Sequence, residues 1–246
     1  MQNYLNLSHK GIKDFNSCKA LFKNLHIDKI HVNKSKNNKF FSFDRSIHSA
    51  LAEFNYKADY TNKSYIMYIL DKNWISLGYS SIYEELAFKN KAYRLLLNYI
   101  NTPLDMSIEI LSIDSYLKRK VNKYITLTCK IDKLHEISSN VYEVVDYKTG
   151  KHISPISKNH TSFHIPILLD LIYDKFSLYP NYISYYYLQF NKKISYEITS
   201  EVIKKSKKLL KSYVNEIKKE ELFICDKYPC NNLDCNYFKY CKNKKL

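Results

Sequence analysis

Glycine and proline are scarce in this sequence, which contains three glycines and five prolines among 246 residues. No G-x-x-x-x-G-K-[ST] phosphate-binding loop occurs, which excludes a helicase or another nucleotide-driven motor of that type. No apolar run approaches the roughly 18 residues that a membrane span needs, and residues 1–15 lack the hydrophobic region of a signal peptide. We therefore expect a cytoplasmic protein.

Internal repeats, low-complexity segments and Pro- or Ser-rich linkers are also missing from the sequence. Hydrophobic residues make up 45% of the chain, which is enough for a substantial core without disulfides. We therefore predict a single domain over residues 1–246, in which residues 225–246 form a cysteine-rich tail.

Basic residues outnumber acidic residues by 39 to 24, which gives a formal net charge of +15. A charge of this size favours an acidic partner, and nucleic acid is the commonest partner of that kind. The alternative is that lysine is simply the default surface residue of a chain that is also rich in tyrosine. Composition by itself leaves both interpretations open.

The pattern of apolar residues predicts helices in both halves of the chain and strands between them. Ser8 can cap a helix that runs to about Asn24. Further helices are predicted at 45–56, 62–101 (in two or more pieces), 162–178 and 200–220. Strands are predicted at 106–117, 124–134, 141–148, 182–190 and 193–199. This order indicates an α/β class with a mixed sheet, flanked by helices from both ends of the chain.

The segment VYEVVDYKTGK (141–151) places an acid and a base two residues apart near the end of a strand. Side chains alternate across a strand, so Asp146 and Lys148 share one face and Tyr147 points to the other. Asp132, in the preceding strand, can converge with Asp146 at one edge of this hairpin. Two clustered acids are costly unless a cation compensates them, and a divalent metal held by Asp132, Asp146 and the Tyr147 carbonyl would do so. The alternative is an ordinary surface hairpin in which Asp132 and Asp146 are solvated and Lys148 pairs with one of them.

The arrangement of IDKL and, 14 residues later, a hydrophobic strand into DYKTGK resembles the central motif of the PD-(D/E)XK nuclease superfamily. The similarity is to its RecB-like branch, which usually has glycine where Cys129 stands here. The resemblance implies a restriction-endonuclease-like core and metal-dependent hydrolysis of DNA phosphodiester bonds. It also implies exonuclease action on DNA ends or single strands, and it extends from Ser8 to Cys241.

Two further segments resemble helices of the same family. RSIHSAL resembles a short helix with a metal-binding histidine, which would make His48 a ligand rather than an ordinary helix histidine. FHIPILLDLIY resembles a helix with a Gln-x-x-x-Tyr signature, in which His164 takes the glutamine position and Leu168 the tyrosine position. The implied roles are catalysis by Asp132, Asp146 and Lys148, binding of Mg²⁺ or Mn²⁺ by His48, Asp132, Asp146 and the Tyr147 carbonyl, and auxiliary roles for Glu109 and His164.

The cysteines suit metal ligation better than disulfides in a reducing compartment. Cys230, Cys235 and Cys241 have a C-x4-C-x5-C spacing that resembles the tail of the iron–sulfur subgroup of RecB-like nucleases. In that subgroup the fourth ligand comes from the N-terminal helix, where Cys18 lies here. The resemblance implies a [4Fe–4S] cluster, with Zn²⁺ as the alternative, that joins the N- and C-terminal segments. A local site of four cysteines, in which Cys225 replaces Cys18 as the fourth ligand, also stays open.

Within the family, the chain is similar to the CRISPR-adaptation exonucleases and to the nuclease domain of AddB. DNA is therefore the expected substrate, and a helicase or a CRISPR-adaptation protein stays open as a partner. Two other functions also stay open: a non-catalytic nucleic-acid-binding or scaffolding protein with a structural metal site, and a zinc-ribbon module fused to an unrelated α/β domain. The intact set of two acids and a lysine favours the nuclease, because a degenerate site would be expected to lose one of them.

Overall fold

The computed structural model describes residues 5–30, 38–57, 63–153, 164–220, 223–224 and 237. Its α-helices are α1 (His9–Ser17), α2 (Lys19–Phe22), α3 (Lys39–Lys57), α4 (Lys63–Asn73), α5 (Ile82–Asn101), α6 (His164–Phe176) and α7 (Ser200–Lys219). Its strands are β1 (Leu5–Leu7), β2 (Glu109–Lys120), β3 (Ile125–Ser138), β4 (Val141–Lys148), β5 (Tyr182–Tyr187) and β6 (Lys192–Glu197). None of the helices in these ranges is long and apolar enough to cross a membrane.

The strands form a six-stranded mixed sheet organised around β3, which confirms the predicted α/β class. Strand β2 pairs antiparallel along one edge of β3. Two strands share the opposite edge, because β1 pairs in parallel at residues 125–127 and β4 pairs antiparallel at residues 133–138. The turn into β4 contains Asn140 with a φ of 58°, a left-handed conformation that asparagine tolerates well. Strand β5 runs parallel to β4, and β6 closes the sheet antiparallel to β5.

The two faces of the sheet carry separate hydrophobic cores. One core lies under α1, α6 and α7, and the other lies under α3, α4 and α5. Strand β4 contributes to both because its side chains alternate: Val144 enters the first core, whereas Val145 and Tyr147 enter the second. The position of Tyr147 confirms the predicted alternation along this strand. Asp146 and Lys148, its neighbours in the chain, are thereby directed away from the second core.

Cys18 interrupts the helix that the sequence predicts from Ser8 to about Asn24, so that prediction is wrong. The backbone of Cys18 is extended (φ −165°, ψ 115°) and ends α1. Its Sγ accepts a hydrogen bond from the Leu21 amide at 3.4 Å, so the cysteine caps the start of α2. A π-helical turn over Lys23–Ile27 follows. Side-chain capping has therefore replaced one turn of helical hydrogen bonding at this position.

Two strands also differ from the sequence prediction. The strand predicted over 182–190 ends at Tyr187, because Leu188–Phe190 form a 3-10 turn. Asn191 then adopts a left-handed conformation (φ 44°) that turns the chain into β6. The pattern of the sequence does not predict β1, whose three residues are too few to show a period and whose partner strand lies far along the chain.

A buried carboxylate links the middle strands of the sheet. Glu143 on β4 is 1% exposed, and its Oε2 accepts hydrogen bonds from His135 at 3.1 Å and from Lys193 at 2.9 Å. The Ser184 hydroxyl donates to its other oxygen. Burial alone would raise the pKa of Glu143, but the hydrogen bonds from His135, Ser184 and Lys193 outweigh it and lower the pKa to about 2. The ionised carboxylate therefore stabilises the folded state.

We expect Glu143→Gln to weaken the fold at neutral pH and to flatten its acid unfolding. An unfolded glutamate has a pKa of about 4.3, so the stability that Glu143 contributes is complete above that pH and is lost as the pH falls towards the folded value of about 2. The variant should lose about 1–3 kcal/mol of unfolding free energy at neutral pH, since Lys193 and His135 lose a charged acceptor. Urea unfolding followed by circular dichroism across this pH range measures both effects.

The matched control is Glu197→Gln on β6, because Glu197 is an exposed strand glutamate. It should change neither the stability at neutral pH nor the loss of stability as the pH falls. If the unfolding free energies of Glu143→Gln and of the wild type fall equally with pH, Glu143 is not the source of the pH dependence.

Candidate active site

A cleft opens where β4 leaves β3. Pairing of the two strands reaches Lys133 opposite Val145 and stops, so in the described chain residues 128–132 have no partner strand on this edge of β3. Beyond this point a side chain replaces the strand pairing: Asp132 Oδ2 accepts a hydrogen bond from the backbone N–H of Tyr147 at 2.9 Å. The resulting cleft has a volume of about 460 Å³. Its wall includes His9, Asp44, His48, Asp146, Lys148 and His164.

The structure brings Asp132, Asp146 and Lys148 together in this cleft, as the sequence predicts. Lys148 Nζ donates to Asp146 Oδ2 at 2.6 Å and lies 5.4 Å from the centroid of the Tyr185 ring. Burial raises the pKa of Asp146; Lys148 opposes this shift, and the charge of Asp132 adds to it. Each of these two neighbouring acids therefore needs a nearby positive charge to stay ionised.

His48 on α3 supplies part of that charge. Its Nδ1 lies 3.1 Å from Asp132 Oδ1, and its Nε2 lies 3.6 Å from Asp44 Oδ1. Burial alone would lower the pKa of His48, but Asp132 and Asp44 outweigh it and raise the pKa to about 10. The ring is therefore a cation at neutral pH in this arrangement. Thr149, just after β4, donates to Asp44 at 2.6 Å and ties the end of the strand to the helix.

Two further histidines occupy the first positions of α1 and α6. The rings of His9 and His164 meet edge to face, with their centroids 5.0 Å apart, and His164 Nε2 lies 3.4 Å from Cys129 Sγ. Burial, together with the charges of His9 and Lys148, lowers the pKa of His164 to about 3, so its ring is neutral. The predicted auxiliary residue His164 thus lines the cleft, and Leu168 lies beside it.

A buried polar network anchors β4 on the other side of the sheet. The Tyr147 hydroxyl donates to Asp105 Oδ2 at 2.6 Å. Lys133 Nζ lies 3.1 Å from the same oxygen and 2.9 Å from Asn55 Oδ1, and the side chains of Lys133 and Asp105 are fully buried. The Tyr99 hydroxyl donates to Asn55 Oδ1 at 3.0 Å. The network therefore fixes the side chain that separates Asp146 from Lys148.

Several residues of the network and the cleft escape the sequence analysis. Asp44 lies four residues before His48 on one helix, a spacing that could have revealed it. His9 directly follows the Ser8 cap of α1, which offers a weaker signal. Asn55 and Asp105 carry no pattern, because their partners come from distant parts of the chain.

Glu109, a predicted auxiliary residue, is not brought to the cleft. It begins β2 opposite Glu136, four positions beyond Asp132 on β3. At about 3.3 Å per residue this corresponds to roughly 13 Å along the strand. The predicted cluster ligands Cys230, Cys235 and Cys241, and the alternative ligand Cys225, lie outside the described residues.

The donor chemistry of the cleft fits a hard divalent cation. Asp132 and Asp146 offer carboxylate oxygens, the ligands that Mg²⁺ and Mn²⁺ prefer, and a cation would relieve the repulsion between them. In the described part of the chain, no three His, Cys, Asp or Glu side chains are already arranged around one metal position. His48 would have to lose its proton and its contact with Asp132 to become a ligand.

A family model matches nearly the whole chain, and a solved structure shares its fold. The family model of the PD-(D/E)XK nuclease superfamily matches residues 6–242. The crystal structure of a protein from Eubacterium rectale that is assigned as an exonuclease is similar, with a TM-score of 0.53 and 12% identity over 100% of this chain and 91% of that one. The structure of SSO0001 aligns with a TM-score of 0.32 and 13% identity over 96% and 94% of the two chains. Among curated proteins, no sequence matches.

Tyr147→Phe should destabilise the protein although it leaves the backbone of β4 intact. The variant removes the hydroxyl that donates to buried Asp105, and Asp105 Oδ1 already has no hydrogen-bond partner in the described structure. A buried carboxylate that loses a donor costs about 1–3 kcal/mol, so urea unfolding should show a loss of that size. Tyr116→Phe, at a β2 tyrosine that is 63% exposed, is the control and should change nothing. An unchanged Tyr147→Phe would mean that the network does not hold this strand.

Proposed function

Because the chain belongs to the PD-(D/E)XK nuclease superfamily, we propose that it is a Mg²⁺- or Mn²⁺-dependent deoxyribonuclease. Its proposed reaction is hydrolysis of phosphodiester bonds, as an exonuclease that acts on DNA ends or single strands. The observation that carries the proposal is the cleft in which Asp132 and Asp146 lie together beside Lys148. The net charge of +15 supports a polyanionic substrate.

Each cleft residue has a distinct task in this proposal. Asp132 and Asp146 would hold the divalent cation, which supplies Lewis-acid chemistry at the scissile phosphate when it is bound. The Tyr147 amide and the His48 ring orient the two oxygens of Asp132 and keep it ionised, because His48 lowers its pKa against the effect of burial. Lys148 is 41% exposed, so its ammonium group can donate to a phosphate oxygen as negative charge develops there.

A second, basic surface fits the passage of a nucleic-acid backbone. Helix α7 buries its apolar side and presents lysines on the other, as the sequence predicts. Lys207, Lys211 and Lys218 line a groove of about 400 Å³ together with Arg119 of β2. Arg119 also pairs with Asp170 at 2.9 Å, so it is partly neutralised. This groove supports DNA binding through phosphate contacts, which supply most of the non-specific affinity.

Asp146→Asn should abolish cleavage and preserve DNA binding. The amide keeps the size of the side chain but removes one of the two charges that would hold the cation, so the rate should fall by at least about a hundredfold. Affinity for DNA without metal should stay equal or rise slightly, because a negative charge near the phosphate has gone. End-labelled single- and double-stranded DNA, incubated with and without Mn²⁺, measures cleavage; fluorescence anisotropy in chelator measures binding.

Asp71→Ala is the matched control, because Asp71 is an exposed acid of α4 outside the cleft, and it should cleave normally. Full activity of Asp146→Asn would refute the assignment of the site. A wild-type protein that binds DNA but never cleaves it would favour the non-catalytic nucleic-acid-binding alternative.

We also propose that Cys18, Cys230, Cys235 and Cys241 bind one metal group, a [4Fe–4S] cluster or Zn²⁺. The described ends of the chain support this, since Lys19 Nζ lies 2.8 Å from Glu220 Oε2 and the Phe22 and Phe223 rings stack with centroids 6.0 Å apart. The segment after α7 therefore reaches the helix that Cys18 caps. Cys18 itself is only partly buried.

Cys18→Ser should lose this metal, lower the melting temperature and expose both ends of the chain to proteolysis, because metal binding would contribute to folding. Cys225→Ser should do little. In a local site made of Cys225, Cys230, Cys235 and Cys241 the two outcomes exchange. Iron, sulfide and zinc analysis after anaerobic purification decides between them: a Cys18→Ser protein with full metal content contradicts the long-range site, and zinc without sulfide contradicts the iron–sulfur cluster.

A further inference from the structure

An exposed phenylalanine lies on the same face of α3 as two residues of the cleft. Residues three, four and seven apart share one side of an α-helix, so Phe41, Asp44 and His48 form one stripe. Asp44 and His48 line the cleft. Phe41 is 63% exposed and lies about 10 Å along the helix axis from His48, at a rise of 1.5 Å per residue. An exposed aromatic ring thus lies on the side of α3 that bears Asp44 and His48, outside the lining of the cleft.

The neighbouring phenylalanine differs from Phe41 in the direction of its side chain rather than in its exposure. Phe40 is almost equally exposed, at 62%, but its ring lies 6.0 Å from the Phe88 ring of α5. Lys39 Nζ lies within 6 Å of both ring centroids, at 5.7 and 5.8 Å. Phe40 is therefore directed towards the helices of the second core, whereas Phe41 follows the side of α3 that bears the catalytic candidates.

Positively charged side chains lie on the same side of α3 and in the cleft. Arg45, four residues after Phe41 on the same stripe, has a side chain that is 42% exposed and a long ion pair of 3.7 Å with Asp114. Lys130 pairs with the same Asp114 and lines the cleft. Lys148 lies at the cleft with 41% of its side chain exposed. An exposed aromatic ring on a surface that also carries partly exposed cations is the combination that proteins use to bind unpaired nucleotides.

The rim of the cleft on this side is also open. Gly150 lines the cleft directly after Thr149, which donates its hydroxyl to Asp44 on the stripe. A Cβ added at Gly150 would meet no atom of the described residues within 4 Å, so these residues leave room beside the rim at this point.

We propose that Phe41 stacks on an unpaired base of a nucleic-acid strand whose phosphate lies in the cleft, while Arg45 contacts the backbone of that strand. This inference rests on the proposed nuclease function and adds a preference for single strands. A base must be unstacked from its neighbours to meet an exposed ring, and a single strand offers such bases at little cost. The bases of an intact duplex are not accessible in this way.

The test is a comparison of two strands in chelator, where no cleavage occurs: an oligothymidylate of about 12 nucleotides, within the site sizes of such binding surfaces, and an abasic sugar–phosphate strand of the same length. Phe41→Ala should lower affinity for oligothymidylate roughly tenfold, the effect of losing one stacked base. Its affinity for the abasic strand should be unchanged. Phe41→Trp should restore the affinity for bases, and Phe40→Ala should alter neither strand by more than about twofold.

Three outcomes would overturn the proposal: Phe41→Ala binding both strands like the wild type, equal losses on both strands, or an altered sedimentation coefficient with unchanged DNA affinity. The last would assign the ring to a protein contact. Binding and cleavage are measured separately, so the two proposals can fail independently. A wild type that does not cleave with Mn²⁺, combined with a base-specific loss in Phe41→Ala, would refute the nuclease and retain the stacking surface.

Discussion

The separation of β4 from β3 is the constraint on which the cleft depends. Up to Val145 the ladder holds β4 against β3, and beyond that point β4 remains paired with β5 through Lys148. A strand that is bonded along one edge only can diverge from its other neighbour without losing its shape. The Asp132 carboxylate satisfies the Tyr147 amide that the divergence would leave unpaired. The same feature therefore opens the cleft and orients one of its acids.

The divergence also requires an anchor, which lies in the second core. A buried ion pair such as Lys133 with Asp105 has a large desolvation cost, and it is tolerable here because Tyr147, Asn55 and the Asp105 carbonyl supply further hydrogen bonds. A buried network of this kind restricts the packing arrangements in which its polar groups keep their hydrogen bonds. It admits one register of β4, with Tyr147 inward and its two charged neighbours at the cleft. Polar contacts on one side of the strand thus determine which side chains it directs to the cleft on the other side.

The sequence was sufficient for the features that depend on local period or on a compact motif. The α/β class, the alternation around Tyr147 and the convergence of Asp132 with Asp146 belong to this group. The rest depends on contacts between distant segments: β1 is recognisable only beside β3, and the burial of Asp105 only beside Lys133. The interruption at Cys18 has another cause. The cysteine side chain accepts a backbone hydrogen bond, and this cap competes with continued helical hydrogen bonding because the two differ little in free energy. The pairing of Asp44 with His48 could have been predicted, because the two residues are four apart on one helix.

The positive charge of the chain is not concentrated as free charge in the cleft. Lys148 pairs with Asp146, Lys130 pairs with Asp114, and His48 lies between Asp132 and Asp44. A phosphate that enters must therefore compete with these acids for their cationic partners. In the proposed function, Asp132 and Asp146 would hold a divalent cation, and the Lys148 ammonium group would then be available to the phosphate. Cation and substrate binding would then favour each other, because thermodynamic linkage makes the coupling of two binding equilibria reciprocal.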